Sequence, residues 1–261
     1  LLLKDKFFML GSSKLSIQEA TDWAKAWLMP NLNRIHPDLQ LRVSKQARRM
    51  TLRLDTKKRV VFLVVPSRTR VDKAYKFAWD NRTWIHNHLN ELPQPIGFLD
   101  GAVIPICGED VTICVNFAPD LRSTTFEFDD NTLIVNTNKE DPSGRIERFL
   151  KEHAKDALSG LAFKKAEKLG RTLRHVGVRD TKSRWGSCNN DGEIMFSWRL
   201  IFAPREAMDY VVAHEVAHLE HLDHSPEFWS VCRMLSTSYT KGKSWMAANG
   251  HELMRYGTTI H

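Results

Sequence analysis

The sequence predicts an α+β protein. Short β-type runs crowd residues 39–140, while helical periodicity dominates from 141 onward. The two kinds of segment follow one another instead of alternating, which argues against a parallel α/β sheet. The expected division is an N-terminal helical extension (1–38), a basic β-rich part (39–140) and a helical part around a metal (141–261).

The elements are justified in order. Ser16-Ile17-Gln18-Glu19 matches a capping box and opens a short helix that must stop before Pro30. Residues 41–55 alternate apolar and basic side chains, and 60–65 are a β-branched and apolar run. The polar Asp55-Thr56-Lys57-Lys58 between them makes the pair a hairpin. Residues 71–92 carry Ala74, Phe77, Ala78, Trp84, Ile85 and Leu89 near helical spacing, and Pro93 and Pro95 end them. Residues 103–117 read as two strands around Gly108-Glu109-Asp110, and 124–135 as a hairpin around Asp129-Asp130-Asn131. A long amphipathic helix spans 143–169, with Ile146, Phe149, Leu150, Ala154, Ala157, Leu158 and Leu161 on one side and Gly170 as its C-cap. Residues 194–196 form a short strand. Pro204 opens a further helix, and Ser225-Pro226 opens another that runs to about 235.

A hydrophobic fraction of 42% and a charged fraction of 26% over 261 residues suit a globular chain with a real core. The formal net charge of +7 is compatible with an anionic partner. Cys107, Cys114, Cys188 and Cys232 form no CxxC pair, so neither a disulfide framework nor a zinc ribbon is expected, and a reducing, cytoplasmic setting is the simpler reading. The opening LLLKDKFFML is too short and too interrupted by charge for a membrane span.

The chemistry concentrates in His214-Glu215-Val216-Ala217-His218. Histidines four apart on a helix share one face, so both imidazoles can reach one zinc ion. Zinc can lower the pKa of a bound water to about 7. Glu215 sits where its carboxylate can accept that proton and pass it to a leaving amine. The bland alternative is a pair of surface histidines. It is weakened by Val211, Val212 and Val216, which mark a buried helix in which imidazoles need partners.

A catalytic zinc usually holds three protein ligands plus water. His221 continues the same stripe, but on a straight helix it would lie roughly 10 Å along the axis from His214. His224 precedes Ser225-Pro226, where the chain turns, and is the favoured third ligand; Glu220 and Asp223 are minor candidates. Tyr210, one turn before His214, could donate to an oxyanion or simply pack. His153, His175 and His251 lack ligand-like neighbours.

Four segments occur in a fixed order. They are Thr181-Lys182-Ser183-Arg184-Trp185-Gly186-Ser187-Cys188, Trp198-Arg199-Leu200-Ile201, Asp209-Tyr210-Val211-Val212-Ala213-His214-Glu215 and His224-Ser225-Pro226-Glu227-Phe228-Trp229. Together with Arg48-Arg49-Met50-Thr51-Leu52-Arg53 they resemble the YgjP-like (DUF45) metallopeptidase family over about 48–253. That family is related to SprT-like and WLM zinc proteases, and the His224 segment is similar to the third-ligand segment of SprT-like proteins. The resemblance implies a zincin-like fold, one zinc ion and a protein or peptide substrate. It also implies an edge strand beside the site that pairs with extended substrate, for which the strand 194–196, entered from the turn at 184–188, is the candidate. Arg184 or Ser187 would then orient substrate or stabilise an oxyanion. The structural alternative is that Gly186 serves a tight turn and Trp185 a core anchor, and Cys188 reads as a buried thiol.

Arg48, Arg49, Arg53, Lys57 and Lys58 lead a basic stretch that also includes Arg59, Arg68, Arg70, Lys73 and Lys76, with Trp79 and Trp84 close by. The mixture suits phosphate contact and base stacking, as in DNA binding. A solvated cationic face that discourages edge aggregation fits equally. Two rivals to a peptidase stand beside it. One is a nucleic-acid module with a structural zinc, which would want four protein ligands. The other is a zinc hydrolase of a non-peptide amide. Oligomeric state has no signature in the sequence.

Overall fold

A computed structural model describes residues 31–56, 58–181 and 184–257. The capping box at Ser16 and the helix expected after it lie outside the described residues, as do Lys57, Lys182 and Ser183. The chain divides into two compact units between Pro93 and Gln94.

In the first unit, residues 31–35 are helical and bury Leu32 and Ile35. Strands β1 (Leu39–Ser44), β2 (Thr51–Asp55) and β3 (Val60–Pro66) follow. β2 and β3 form the expected antiparallel hairpin. β1 separates from β2 and pairs parallel to the other side of β3, giving the order β1-β3-β2. Within β3 the alternation puts Val61, Leu63 and Val65 on one face. Helices α1 (Val71–Asp80) and α2 (Arg82–Asn90) cover that face with Val71, Ala74, Ala78, Ile85 and Leu89. The sequence predicts one helix here, yet the structure breaks it at Asn81. The Asn81 amide donates to the carbonyl of Phe77 at 2.8 Å, a local bond that competes with the helical ladder.

The second unit begins with a four-stranded sheet. Its strands are β4 (Val103–Ile106), β5 (Glu109–Phe117), β6 (Thr125–Asp129) and β7 (Thr132–Thr137), in the order β4-β5-β7-β6. Both expected hairpins form, and β5 and β7 run parallel at the seam. Helix α3 (Ser143–Leu169) spans the expected residues and ends on Gly170 at φ 69°, the left-handed cap that glycine takes without strain. Its buried stripe falls at every fourth residue through Ile146, Leu150, Ala154, Leu158, Ala162 and Ala166.

A second sheet of this unit joins β8 (His175–Arg179), β9 (Gly186–Cys188) and β10 (Glu193–Ser197) in the order β8-β10-β9. β9 is therefore an edge strand. The expected strand at 194–196 is the central one, and the edge role passes to the Gly186 segment. A 3₁₀ turn at Trp198–Phe202 leads to α4 (Arg205–Ala217), capped by Pro204. Helices α5 (Pro226–Leu235) and α6 (Tyr239–Asn249) pack on α4. α4 is buried on almost every side through Ala207, Met208, Val211, Val212, Ala213, Val216 and Ala217. Among the described residues no helix is long and apolar enough to cross a membrane.

Two polar clamps fix these pieces. The buried Lys165 ammonium lies 2.5 Å from the Asp209 carboxylate and donates to the carbonyl of Leu235 at 2.6 Å. Ser236 donates to the other Asp209 oxygen at 2.6 Å. One charge pair thus joins α3, α4 and the end of α5, and losing one partner of such a pair costs about 3–5 kcal/mol. The fully buried Arg199 pairs with Asp180 at 3.1 Å and donates to the carbonyl of Tyr256, holding the C-terminal segment.

Candidate metal centre

α4 delivers His214 and Glu215 from its last turn, and His218 is the residue that caps it. Beyond His218 the backbone tightens, with Leu219 N–H bonding to Val216 and both Glu220 and His221 N–H bonding to Ala217. The chain then reverses. Asp223 accepts from Ser225 N–H at 3.3 Å, and the Ser225 hydroxyl caps α5 by accepting from Phe228 N–H at 3.3 Å. That reversal returns His224 to the end of α4.

The three imidazoles converge, each offering a nitrogen within 4.8 Å of the others. His214 Nε2 and His224 Nε2 stand 3.2 Å apart. Two nitrogens held by one tetrahedral zinc at ~2.0–2.1 Å would be roughly 3.3 Å apart, so the spacing fits. His218 Nδ1–H donates to the carbonyl of His221 at 2.9 Å, which leaves His218 Nε2 as its free nitrogen. His221 therefore contributes its backbone and not its ring. Neither Glu220 nor Asp223 joins the cluster. His214 Nδ1 is buried without a hydrogen-bond partner among the described residues. The fully buried ring of Phe228 lies 5.0, 4.5 and 4.8 Å from the rings of His214, His218 and His224, an apolar floor under all three. Burial, then the neighbouring rings of His218 and His224, push His214 down to about 4, so its imidazole is neutral at ordinary pH.

Glu215 is buried, and burial raises its carboxyl to about 7, partly offset by the Arg184 guanidinium. The space it occupies belongs to Gly186 on the edge strand. A Cβ added at Gly186 would overlap Glu215 Cγ and lie 2.6 Å from its Cδ and Oε1. Gly186 is thus an extended strand residue that admits the carboxylate, where the sequence allowed a tight turn. Burial and the Glu215 charge lift the Cys188 thiol to about 11, so it stays protonated. Ser187, between them, pairs with Met195, and strand alternation sets it on the face opposite Gly186 and Cys188. Arg184 is exposed.

Tyr210 is half-buried, its ring 6.2 Å from that of His214 and edge-on to Tyr239 at 5.5 Å. Burial pushes its phenol up to about 12, which keeps it a hydrogen donor. His153, His175 and His251 do not join the cluster. Sequence reasoning missed α6 and with it Tyr239 and Lys243. The run Ser236-Thr237-Ser238-Tyr239-Thr240-Lys241-Gly242-Lys243 has no helical apolar period and a central glycine, so it reads as loop. The basic residues Arg48, Arg49, Arg53 and Lys58 all lie exposed in the first unit.

No curated protein matches the chain. Among solved structures, the metallopeptidase zymogen of Pyrococcus abyssi abylysin is similar over 35% of this chain and 93% of its own, with 21% identity and a TM-score of 0.32. The YgjP-like, metallopeptidase domain matches residues 48–249, which includes every imidazole of the cluster, Glu215 and the edge strand. With that match over most of its length, the chain belongs to the YgjP-like metallopeptidase family.

Proposed function

We propose that the protein is a zinc-dependent peptidase with a zincin-like site, its catalytic part lying within 141–261. The observation that carries this reading is the meeting of three imidazole nitrogens beside a buried carboxylate for which a glycine leaves room. His214, His218 and His224 would hold one ion. Three neutral nitrogen donors suit zinc and leave a coordination position open, whereas a structural zinc would want a fourth protein ligand. When bound, the ion supplies Lewis acidity, lowering the pKa of water to about 7 and polarising a carbonyl.

Glu215 is the general base. Its raised proton affinity lets it take a proton from water near neutrality and return it to the leaving nitrogen. Arg184 supports the ionised form by charge and is exposed enough to meet substrate. Tyr210 is the proposed oxyanion donor, since its hydroxyl stays protonated on the His214 side of α4. β9 offers its outer edge to an extended peptide through the backbone of Gly186 and Cys188. The Ser187 backbone, two residues from the Trp185–Ser197 and Asn189–Glu193 bonds, is turned to Met195, so Ser187 supports substrate only by holding that edge in place. That edge favours a peptide over a non-peptide amide.

A second reading concerns the first unit. Arg48, Arg49, Arg53, Lys58, Arg68 and Lys73 are exposed and have no side-chain partner among the described residues. Trp79 is 45% exposed, with Arg82 over its ring at 4.9 Å. Free cations in the same unit as an exposed aromatic suit nucleic acid, and proteins bound to DNA would then be substrates. Binding that weakens steeply with salt supports this reading, and no binding at low salt removes it.

The peptidase reading is tested with Glu215→Gln in the full chain. Zinc content should stay at one per chain, while cleavage of a mixed protein substrate falls at least a hundredfold. A Gln variant that cuts as fast as the parent would end the assignment.

A further inference from the structure

Helix α6 crosses α4 at Gly242. A Cβ there would stand 2.6 Å from Tyr210 Cβ, so only glycine allows the approach. The crossing delivers the next residue, Lys243, to the rim of the imidazole cluster. Its ammonium lies 4.8 Å from the centre of the Trp229 ring, and Trp229 lies 5.7 and 5.5 Å from His214 and His224. Lys243 also donates to the Tyr239 hydroxyl at 3.4 Å and sits 5.6 Å from that ring. Its charge is one of those that depress His214.

Neighbouring lysines are neutralised. Lys241 pairs with Glu206 and Lys165 with Asp209. Lys243 has no carboxylate partner among the described residues. Two aromatic faces hold it in place, which lowers the entropy lost when an anion binds. Tyr239 accepts from Lys243 and so keeps its own O–H to donate. Two donors 3.4 Å apart can hold the two oxygens of one carboxylate.

We propose that Lys243 and Tyr239 form a carboxylate subsite, and that the preferred substrate places a carboxylate there. This rests on the peptidase reading. With 4.8 Å from the ammonium to the Trp229 ring centre and 5.5 Å from there to that of His224, the ammonium is no more than roughly 10 Å from the His224 ring, about three residues of extended peptide or fewer. The carboxylate is therefore close to the scissile bond. It comes either from the substrate's C-terminus or from an Asp or Glu side chain.

The test measures binding, so that turnover is not needed. Zinc-loaded full chain carrying Glu215→Gln is titrated calorimetrically with five-residue peptides. Glu or Gln is placed at each position in turn, and each peptide has a free or amidated C-terminus. The same series is run with Lys243→Met, which keeps the aliphatic stem, and with Lys243→Arg, which keeps the charge. At least one acidic peptide should bind about tenfold more tightly than its neutral counterpart. That ratio should fall to near one with Met and return with Arg, at unchanged zinc content. Loss of the preference on amidation identifies the C-terminus as the source, and a position-specific Glu effect identifies a side chain. A ratio below two when Lys243 is present, a ratio that survives Lys243→Met, or no binding of any peptide overturns the subsite. Lys243-dependent preference in a protein whose parent cleaves nothing would instead overturn the peptidase reading and leave the subsite standing.

Discussion

Replacing Gly186 by alanine is the most direct probe of how this site is built. The new Cβ would meet Glu215 Cγ first and lie 2.6 Å from its Cδ and Oε1, where ordinary contact begins at 3.4 Å. Something must move by roughly 1 Å. The strand backbone is held in its ladder by the bonds that flank Gly186, with Trp185 accepting from Ser197 N–H at 2.8 Å, and Phe196 opposite Gly186 is fully buried. The Glu215 side chain is the softer partner, so it yields from Cγ outward and carries its carboxylate with it. Misplacement of a reacting group by ~1 Å costs on the order of a hundredfold in rate. Gly186 does not have a positive φ, so alanine fits the backbone and reduces the freedom of the unfolded chain. The overlap with buried Glu215 adds a packing cost of about 1–3 kcal/mol, so fold stability should fall by no more than about 3 kcal/mol. The assay measures kcat and KM on a quenched peptide substrate, with zinc content and thermal melting as controls. The expected result is a kcat down about a hundredfold, KM nearly unchanged, one zinc per chain and a melting temperature no more than about 10 °C below the parent. A Gly186→Ala protein that turns over within twofold of the parent would refute the argument that this glycine exists to seat Glu215.

Two further outcomes follow from the same geometry. His224→Ala should lose zinc affinity by orders of magnitude, whereas His221→Ala should retain it, because His221 offers only its carbonyl to His218. Ligand binding stabilises by about 2.7 kcal/mol at a hundredfold excess over Kd, so added zinc should raise the melting temperature of the parent and of His221→Ala but not of His224→Ala. Glu215 also sets a pH dependence in the metal-free protein. Its folded value of about 7 lies above the ordinary 4.5, so its contribution is fully present below 4.5 and is lost as pH rises through 7. At pH 8 metal-free Glu215→Gln should be more stable than the parent by up to about 3 kcal/mol, and at pH 4 the two should be equal. His214, lowered to about 4, works the other way, giving stability above 6.5 that fades as pH falls through 4. It is common to both proteins and drops out of the difference. Urea unfolding in chelator across that range measures the gap, and a difference that grows toward acid would contradict the assigned burial.

The legible part of the fold was local. Helix α3 could be bounded because a strong apolar period runs between a polar start and a left-handed glycine cap. The hairpins β2–β3, β4–β5 and β6–β7 announced themselves by turn chemistry between apolar runs. What escaped was set by partners distant in sequence. β1 parts from β2 because β3 has two edges to satisfy, and no period in 39–55 says which neighbour each segment takes. β9 is three residues long with a glycine and a cysteine, too short for any alternation to show. The chain turns back on itself between β9 and β10, so the strand with the clearer apolar signal, 194–196, ends up central and the weaker one takes the edge.

The site divides along the same line. The imidazole pair on α4 is visible because helical spacing alone places it, and the Ser225-Pro226 signal suffices to turn His224 back. The groups that shape their chemistry arrive from other elements. Gly186 comes from the edge strand, Phe228 from the first turn of α5, and Lys243 from a helix that its own sequence does not advertise. Each acts by occupying or vacating space next to α4, and none has a residue type that marks it for that role. A buried helix makes this arrangement possible. With Val211, Val212, Ala213 and Val216 packed on all sides, α4 cannot shift to accommodate a neighbour. Positions on the surrounding elements are then matched to it one by one, down to the missing Cβ atoms at 186 and 242. The reactivity of Glu215 follows from that rigidity. A carboxylate on a mobile surface helix would find water and return to its ordinary pKa, whereas one held against a strand edge keeps a proton affinity near neutrality.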